Sequence, residues 1–192
     1  TADPLFTSCK LATAGNSIDF GVPSESFRDY HTLIEGALSS SFRVDHYREF
    51  VGCLSHASSL LYLGDNAGEI VFDRVFIEEI ETFNDIDLIF VVRGSPIIND
   101  ATYEDARYVG IEKMAKIISN ESDYPGTVLS SCSKQVQDLF QSADIIIAKG
   151  QGNYESIDDD RRNLFHLFKV KCPVVARQLR VDVNDMVFMN RV

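Results

Sequence analysis

The chain has 192 residues, enough for one globular domain with an adequate hydrophobic core; 45% of its residues are hydrophobic and 24% are charged. A net charge of −11 and the lack of a basic block argue against a nucleic-acid partner, because such proteins need a positively charged surface. No apolar run could span a bilayer, no signal-peptide pattern is seen and the 4 cysteines lack disulfide-like spacing, so we expect a cytoplasmic protein without a membrane partner.

The first 58 residues have the pattern of a mostly helical segment that packs on the rest of the protein. Residues 46–54 in particular carry apolar side chains at helical spacing. Residues 59–192 are predicted to be an α/β core, and the candidate metal and phosphate site described below belongs to it. We expect the two parts to form one structural domain.

From residue 59 onwards, short apolar runs alternate with segments of helical periodicity. Strands are predicted at residues 60–63, 86–92, 116–118, 144–148 and 186–189, and helices at residues 66–81, 104–114 and 133–141. The apolar residues 164–170 and 174–176 show no clear periodicity. This alternation predicts a three-layer, doubly wound α/β fold, with a mostly parallel sheet, helices on both faces and a helical N-terminal part.

Ligands of doubly wound sheets bind outside the carboxyl ends of the strands, so the residues after each strand are the first candidates for a site. Asp65 and Asn66 follow the strand at 60–63, and Glu69 comes one helical turn later. Any one of these could simply cap a helix or complement its dipole. Alternatively, Asp65 and Asn66 present two hard oxygen ligands to the crevice.

Two further strand ends carry polar side chains. Asp100 follows the second strand and can supply another carboxylate to the same cation, because adjacent parallel strands lie only about 5 Å apart. Lys149 directly follows the strand at 144–148, in a glycine-rich turn that suits the binding of a phosphate oxygen, although an ordinary surface lysine is an equal alternative. Oxygen ligands without paired His or Cys favour Mg²⁺ or Mn²⁺, and a hard cation beside a lysine is typical of phosphoryl chemistry.

Three strings at these strand ends resemble one known family. They are Leu-Gly-Asp-Asn-Ala-Gly-Glu at 63–69, Asn-Asp-Ala-Thr at 99–102 and Lys-Gly-Gln-Gly-Asn at 149–153. They resemble the domain-of-unknown-function 89 family of damage-control phosphatases, which includes the acidic-residue-methyltransferase-like branch and the domain fused to pantothenate kinases. Residues 14–20 and 125–130 are also similar to elements of that family, so the resemblance covers nearly the whole chain.

The resemblance implies a metal site made by Asp65, Asn66 and Asp100, for Mn²⁺, Mg²⁺, Co²⁺ or Ni²⁺. It implies phosphate contacts from Lys149, and it adds Asp19 to Asp65, Asp100 and Lys149 as a catalytic residue. The predicted substrate-binding residues are Asn16, Glu69, Arg93, Thr102, Lys149 and Asn153, with Asn16 at the pocket edge beside Asp19, and Arg93 without a fixed counterpart across the branches. Members of the family usually begin with a further helical segment, which this chain lacks.

The expected reaction is metal-dependent hydrolysis of a small phosphorylated metabolite, such as a sugar phosphate, a phosphopantetheine derivative or a damaged metabolite. Asp65 or Asp19 could take a proton from the attacking water. Direct attack by Asp65 is less favoured, because a metal-bound carboxylate is a weaker nucleophile.

Two alternatives belong to other functional classes. Residues 61–65 superficially resemble the strand and turn that bind S-adenosylmethionine in methyltransferases, but Gly64 and Gly68 enclose Asp-Asn-Ala rather than further glycines. A non-catalytic protein that binds phosphorylated metabolites would keep the same metal site and Lys149 without turnover.

Overall fold

The computed structural model of the protein describes residues 3–16, 30–157, 159 and 163–190. Seven strands in this part of the chain belong to one sheet. The strands are β1 (Phe42–Asp45), β2 (Ser59–Leu63), β3 (Asp87–Val92), β4 (Lys116–Ser119), β5 (Ile145–Lys149), β6 (Leu164–Lys169) and β7 (Met186–Asn190). They lie in the order β1-β7-β6-β5-β2-β3-β4.

The direction of the strands creates a crevice at the centre of the sheet. Strands β2 to β6 are all parallel, whereas β7 runs antiparallel to β6 and carries β1 parallel to itself at the edge. From β2 the sheet grows through β3 and β4 on one side, and through β5 and β6 on the other. The chain direction therefore switches between β2 and β5, and ligands of α/β proteins bind at the carboxyl ends of two such strands.

Helices cover both faces of this sheet. They are α1 (Pro4–Gly15), α2 (Tyr30–Ser39), α3 (Tyr47–Leu54), α4 (Ile70–Phe83), α5 (Tyr103–Tyr108), α6 (Lys134–Ser142), α7 (Gly150–Ser156) and α8 (Pro173–Leu179), with short 3₁₀ turns at Ile111–Lys113 and Leu129–Ser131. Buried residues of α1, α3, α4 and α5 pack on one face. Those of α6, α7 and α8 pack on the other.

The strand sequences follow from this burial on two sides. In β2, Tyr62 points into the core below α1 and α4, while Leu61 and Leu63 point into the core below α6. All three side chains are at most 1% exposed. Because successive strand residues face opposite layers, a central parallel strand reads as a continuous apolar run rather than as an alternation.

The predicted α/β fold is confirmed, and the five predicted strands correspond to β2, β3, β4, β5 and β7. The predicted helix over 104–114 is divided, because Gly110 adopts a φ of 84° after α5 and a 3₁₀ turn follows. The two unassigned segments are strand β6 and helix α8. Among the described residues, no helix combines the length and apolar character needed to cross a membrane.

Strand β1 is an element that the sequence pattern did not predict. Phe42–Asp45 has only four residues, two of them charged, and it lies at the sheet edge. It comes from the segment expected to be mostly helical, and it places part of that segment in the common sheet. The proposed boundary between residues 58 and 59 stays a prediction.

Candidate active site

The exits of β2 and β5 approach each other closely at the switch point. Gly150 follows β5 with a φ of 79°, a left-handed conformation that glycine adopts without strain. A Cβ atom at this position would lie 1.8 Å from Oδ2 of Asp65, far inside any allowed contact. Glycine at 150 is therefore required for the carboxylate of Asp65 to occupy its position.

The exits of β2 and β3 are joined through the backbone. Asn66 and Asp100 form an isolated antiparallel bridge. The amide of Ala67 donates to the carbonyl of Asn99 at 2.8 Å, and the amide of Ala101 donates to the carbonyl of Asp65 at 2.7 Å. These bonds hold the two segments in one register, so the three predicted metal ligands lie side by side.

Arg93 connects the two aspartates. Its guanidinium side chain is 2% exposed; Nε donates to Oδ2 of Asp100 at 2.6 Å, and Nη2 lies 3.7 Å from Oδ1 of Asp65. Nη1 and Nη2 also donate to Thr127 Oγ1 at 3.2 Å and to Asn153 Oδ1 at 3.3 Å. Both carboxylates therefore face the same fixed cationic fork.

Asn153 links all three strand exits through its side-chain amide. Its Nδ2 donates to the carbonyl of Lys149 at 2.6 Å and to that of Gly64 at 3.3 Å. Its Oδ1 accepts from the Thr127 hydroxyl at 2.7 Å as well as from Arg93. The side chain is fully buried, and these bonds support a structural role.

The floor of the crevice is a second polar layer. Asn16, at the end of α1, donates through Nδ2 to Asp65 Oδ2 at 3.2 Å and to Glu69 Oε2 at 2.8 Å. The Lys149 ammonium donates to Glu69 Oε1 at 3.3 Å and to Asp73 Oδ1 at 2.5 Å. It also donates to the backbone carbonyl of Ala12 in α1 at 2.9 Å. Asn16, Glu69, Asp73 and Lys149 are all 0% exposed.

Negative charge exceeds positive charge in this layer. The carboxylates are Asp65, Glu69, Asp73 and Asp100, and the cationic side chains buried among them are Arg93 and Lys149. An uncompensated carboxylate away from water is costly and holds its proton more tightly. The arrangement therefore attracts further positive charge.

The surplus of negative charge affects the protonation of Asp65. Burial, together with the charge of Glu69, raises the pKa of the Asp65 carboxyl to about 8. The charge of Asp100 acts in the same direction, whereas those of Arg93 and Lys171 oppose it. A carboxyl group with this pKa can hold or release a proton near neutral pH.

The pKa values of Asp73 and Lys149 are shifted by the same buried, charged surroundings. Burial raises the pKa of Asp73 to about 6, with Lys149 opposing the rise and Glu69 adding to it. Burial alone would lower the pKa of Lys149, but the charges of Asp73 and Glu69 outweigh it and hold this pKa above its usual range. Lys149 is therefore a permanent ammonium group.

A divalent cation fits the ligand set of Asp65, Asn66 and Asp100. Two carboxylates and one amide are the hard oxygen donors that Mg²⁺ and Mn²⁺ prefer, and the surplus negative charge favours a dication. Within residues 3–16, 30–157, 159 and 163–190, no three His, Cys, Asp or Glu side chains cluster to hold an ion by themselves. Asn66 would therefore be needed as a ligand, together with oxygens of water or substrate.

Most of the residues predicted from the sequence meet at this place. The structure brings together Asn16, Asp65, Asn66, Glu69, Arg93, Asp100, Lys149 and Asn153. Asp19 lies outside the described residues. The Thr102 side chain forms a capping box with Asp105 at the start of α5, which supports a structural role there.

Lys149 differs most from the prediction. Its three hydrogen bonds use every ammonium hydrogen, and its side chain is fully buried under the crevice. The predicted direct contact with a phosphate oxygen therefore has no support in this geometry. The ammonium acts instead on the carboxylates of Glu69 and Asp73.

Four residues at the site were not singled out from the sequence: Tyr62, Asp73, Thr127 and Lys171. A signal existed for Asp73, since it lies four residues after Glu69 and so on the same face of the helix. Lys171 is exposed just beyond β6, and its charge acts on Asp65.

Several known proteins are similar to this chain. The sequence model of the damage-control phosphatase ARMT1-like domain matches residues 2–187. A damage-control phosphatase of Pyrococcus horikoshii is 39% identical over 181 residues, which cover 94% of this chain and 63% of the relative. A damage-control phosphatase of Archaeoglobus fulgidus is 35% identical over 192 residues, which cover 96% of this chain and 65% of the relative.

Two further comparisons extend the similarity. An uncharacterized protein of Methanocaldococcus jannaschii is 44% identical over 188 residues, covering 94% of this chain and 61% of that protein. The crystal structure of a domain-of-unknown-function 89 protein from Pyrococcus horikoshii superposes with a TM-score of 0.91 at 36% identity, covering 100% of this chain and 67% of that one. The chain thus spans between 61% and 65% of the length of these curated relatives.

Proposed function

Since the chain belongs to the ARMT1-like family of damage-control phosphatases, we propose that it hydrolyses a small phosphorylated metabolite with the help of a divalent cation. The observation that carries this proposal is the meeting of Asp65, Asn66 and Asp100 at the switch point of the sheet. Mn²⁺, Mg²⁺, Co²⁺ and Ni²⁺ are the candidate ions.

Asp65, Asn66 and Asp100 would hold the ion. When bound, such an ion neutralises charge on a phosphoryl group and makes water a better nucleophile. Asp65 or Asp19 would accept a proton from that water. We favour water as the nucleophile that attacks the phosphoryl group, with Asp65 or Asp19 as the base, over direct attack by Asp65.

The phosphate also needs positive charge on the open side of the crevice. Lys171 is suited to this task, because it is exposed and its charge acts on Asp65, whereas the ammonium of Lys149 is buried and fully hydrogen-bonded. Arg93 would keep the carboxylates of Asp65 and Asp100 in place. Sugar phosphates, phosphopantetheine derivatives and damaged metabolites are the proposed substrate classes.

The test is hydrolysis of p-nitrophenyl phosphate in a chelator and then in each of Mn²⁺, Mg²⁺, Co²⁺ and Ni²⁺. We expect no turnover in the chelator and a rise of at least about a hundredfold with the best ion, since metal-assisted charge neutralisation is worth several kcal/mol. Titration calorimetry should show an ion that binds the parent protein but not the Asp100→Ala variant. Metal-independent turnover would contradict the proposal.

The same preparation separates the alternatives. Binding of S-adenosylmethionine without hydrolysis of any phosphate ester would favour a methyltransferase. Binding of metal and phosphate without turnover of a panel of phosphorylated metabolites would favour a non-catalytic binding protein.

A further inference from the structure

A chain of buried hydrogen bonds lies behind the crevice, on the side away from solvent. The hydroxyl of Tyr62 on β2 donates to Oδ1 of Asp73 at 2.8 Å. The ammonium of Lys149 donates to the same oxygen at 2.5 Å and to Oε1 of Glu69 at 3.3 Å. Tyr62, Glu69, Asp73 and Lys149 are each 0% exposed, so none of them meets a ligand directly from solvent.

The chain continues to the candidate metal ligands. The second oxygen of Glu69, Oε2, accepts from Asn16 Nδ2 at 2.8 Å, and the same amide group donates to Asp65 Oδ2 at 3.2 Å. Every link joins one donor to one acceptor. The orientation of the Asp65 carboxylate is therefore connected to Asp73 through Asn16, Glu69 and Lys149.

Packing alone does not explain why Asp73 is buried, because burying its carboxylate is unfavourable in free energy. Its Oδ2 has no hydrogen-bond partner among the described residues, although the whole side chain is excluded from water. Leaving a buried charged oxygen unsatisfied is unfavourable, and a buried ion pair often stabilises less than apolar side chains of the same volume. The unfavourable burial of Asp73 favours a role in the site over a role in folding.

Geometry indicates what that role is. The Lys149 ammonium donates one hydrogen bond to Asp73 at 2.5 Å and another to Glu69 at 3.3 Å, so the bond to Asp73 is the shorter of the two. Without the charge of Asp73, the ammonium would pair more closely with Glu69. Because Glu69 also accepts from Asn16, such a shift would turn its carboxylate away from the amide that orients Asp65.

We propose that Asp73 is a positioning residue which, with Tyr62, restrains the Lys149 ammonium and thereby fixes Glu69, Asn16 and Asp65 in the arrangement used for catalysis. The proposal rests on the proposed phosphatase function. It assigns Lys149 to the interior of the site, as the link between Asp73 and Glu69.

The Asp73→Asn variant tests the proposal through kinetics. We expect kcat for p-nitrophenyl phosphate at saturating Mn²⁺ to fall about 10- to 100-fold, while KM changes less than about threefold, because the groups that contact the phosphate remain. The Kd for Mn²⁺ should rise, because the orientation of its candidate ligand Asp65 depends on the same chain of hydrogen bonds. In a Glu69→Gln background the same substitution should cost less than about threefold. Non-additivity of this kind is expected when one residue acts through the other.

Two further variants serve as references. Tyr62→Phe removes one hydrogen bond to Asp73 without changing charge, and kcat should fall about two- to fivefold with the fold preserved. Asp144→Asn makes the same chemical change at the opposite, amino end of β5, where the carboxylate accepts hydrogen bonds from Ser58 and Ser59. It should leave kcat unchanged even if the melting temperature falls.

A crystal structure of Asp73→Asn supplies a readout that does not depend on activity. We expect the bond of 2.8 Å between Asn16 Nδ2 and Glu69 Oε2 to lengthen beyond hydrogen-bond distance.

The positioning role is wrong, even in an active phosphatase, if Glu69 stays in place in this structure. It is also wrong if the losses of kcat caused by Asp73→Asn and by Glu69→Gln simply add. If the parent protein shows no turnover while Glu69 moves, the proposed function fails and the structural link stands. Should Asp73→Asn not fold, unchanged kcat in Tyr62→Phe overturns the proposal.

Discussion

The Asp65→Asn variant is expected to lose metal-dependent hydrolysis by at least about a thousandfold, and yet to melt at a higher temperature than the parent protein at pH 8 in a chelator. The loss of activity follows from the proposed roles of Asp65 as a charged metal ligand and as the acceptor of the proton of water. The gain in stability follows because asparagine resembles the neutral form of the carboxyl group, which the metal-free fold prefers.

The gain in stability depends on pH, and its sign follows from the shifted pKa of Asp65. The pKa of Asp65 is raised to about 8 in the folded protein by burial and by the charge of Glu69, from a usual value of 3.8. Below pH 4 both states hold the proton and the folded state keeps its full stability. As the pH rises towards 8, the unfolded chain releases the proton more readily, so the free energy of unfolding falls by at most about 1.4 kcal/mol per pH unit.

Melting temperatures in a chelator at pH 5 and pH 8 check this prediction. The difference between Asp65→Asn and the parent protein should be larger at pH 8 than at pH 5. Asp144→Asn is the matched control, because hydrogen bonds from the Ser58 backbone and the Ser59 hydroxyl lower the pKa of Asp144, so its loss should destabilise the fold at both values. An Asp65→Asn protein that melts lower at pH 8, or that still hydrolyses phosphate esters with metal, contradicts the assignment.

Gly150→Ala is expected to reduce hydrolysis by at least about a hundredfold and to lower the free energy of unfolding by about 1–3 kcal/mol. The added methyl group would lie 1.8 Å from Oδ2 and 2.4 Å from Cγ of Asp65, so one of the two segments has to move. An L-residue at a φ of 79° adds backbone strain. Displacement of Asp65 would separate it from Asn66 and Asp100.

The Gly110→Ala variant is a control that introduces backbone strain without displacing Asp65. Gly110 has a φ of 84°, similar to that of Gly150, but the nearest atom to an added Cβ is Arg74 Nη1 at 3.6 Å, an ordinary contact. This variant should lose about 1 kcal/mol of stability and keep full activity. Equal activity losses in both variants, measured with p-nitrophenyl phosphate and by chemical denaturation, would refute the steric explanation.

The candidate metal ligands could be predicted to lie together because their position depends on topology. Asp65, Asn66 and Asp100 follow two apolar runs that are recognisable as buried strands, and parallel strands bring their carboxyl ends to one edge. The contacts that hold them together could not be predicted in this way, although Arg93 itself was among the predicted site residues. Arg93 and Thr127 meet only after the exits of β3 and the loop before α6 have taken their three-dimensional course.

The orientation of Lys149 could not be predicted from the sequence pattern. Lys149 ends β5 and shares a face with Ile145 and Ile147, which point into the core below α1 and α4. Two-residue alternation predicts that shared face. It does not reveal that Asp73 lies beneath it and provides a polar partner inside an otherwise apolar layer. A lysine directly after a buried strand, in a glycine-rich turn, was therefore expected to bind a phosphate oxygen or to lie on the surface.

The position of β7 between β6 and β1 has a consequence for the order in which the protein assembles and opens. Within the part of the chain that the structure describes, β1 is bonded to the sheet only through β7, which comes from a distant part of the sequence. β1 can therefore join the sheet only after β7 has docked on β6, and any fluctuation that detaches β7 also releases β1. In native-state hydrogen exchange, the amide protons of β1 should never be better protected than those of β7.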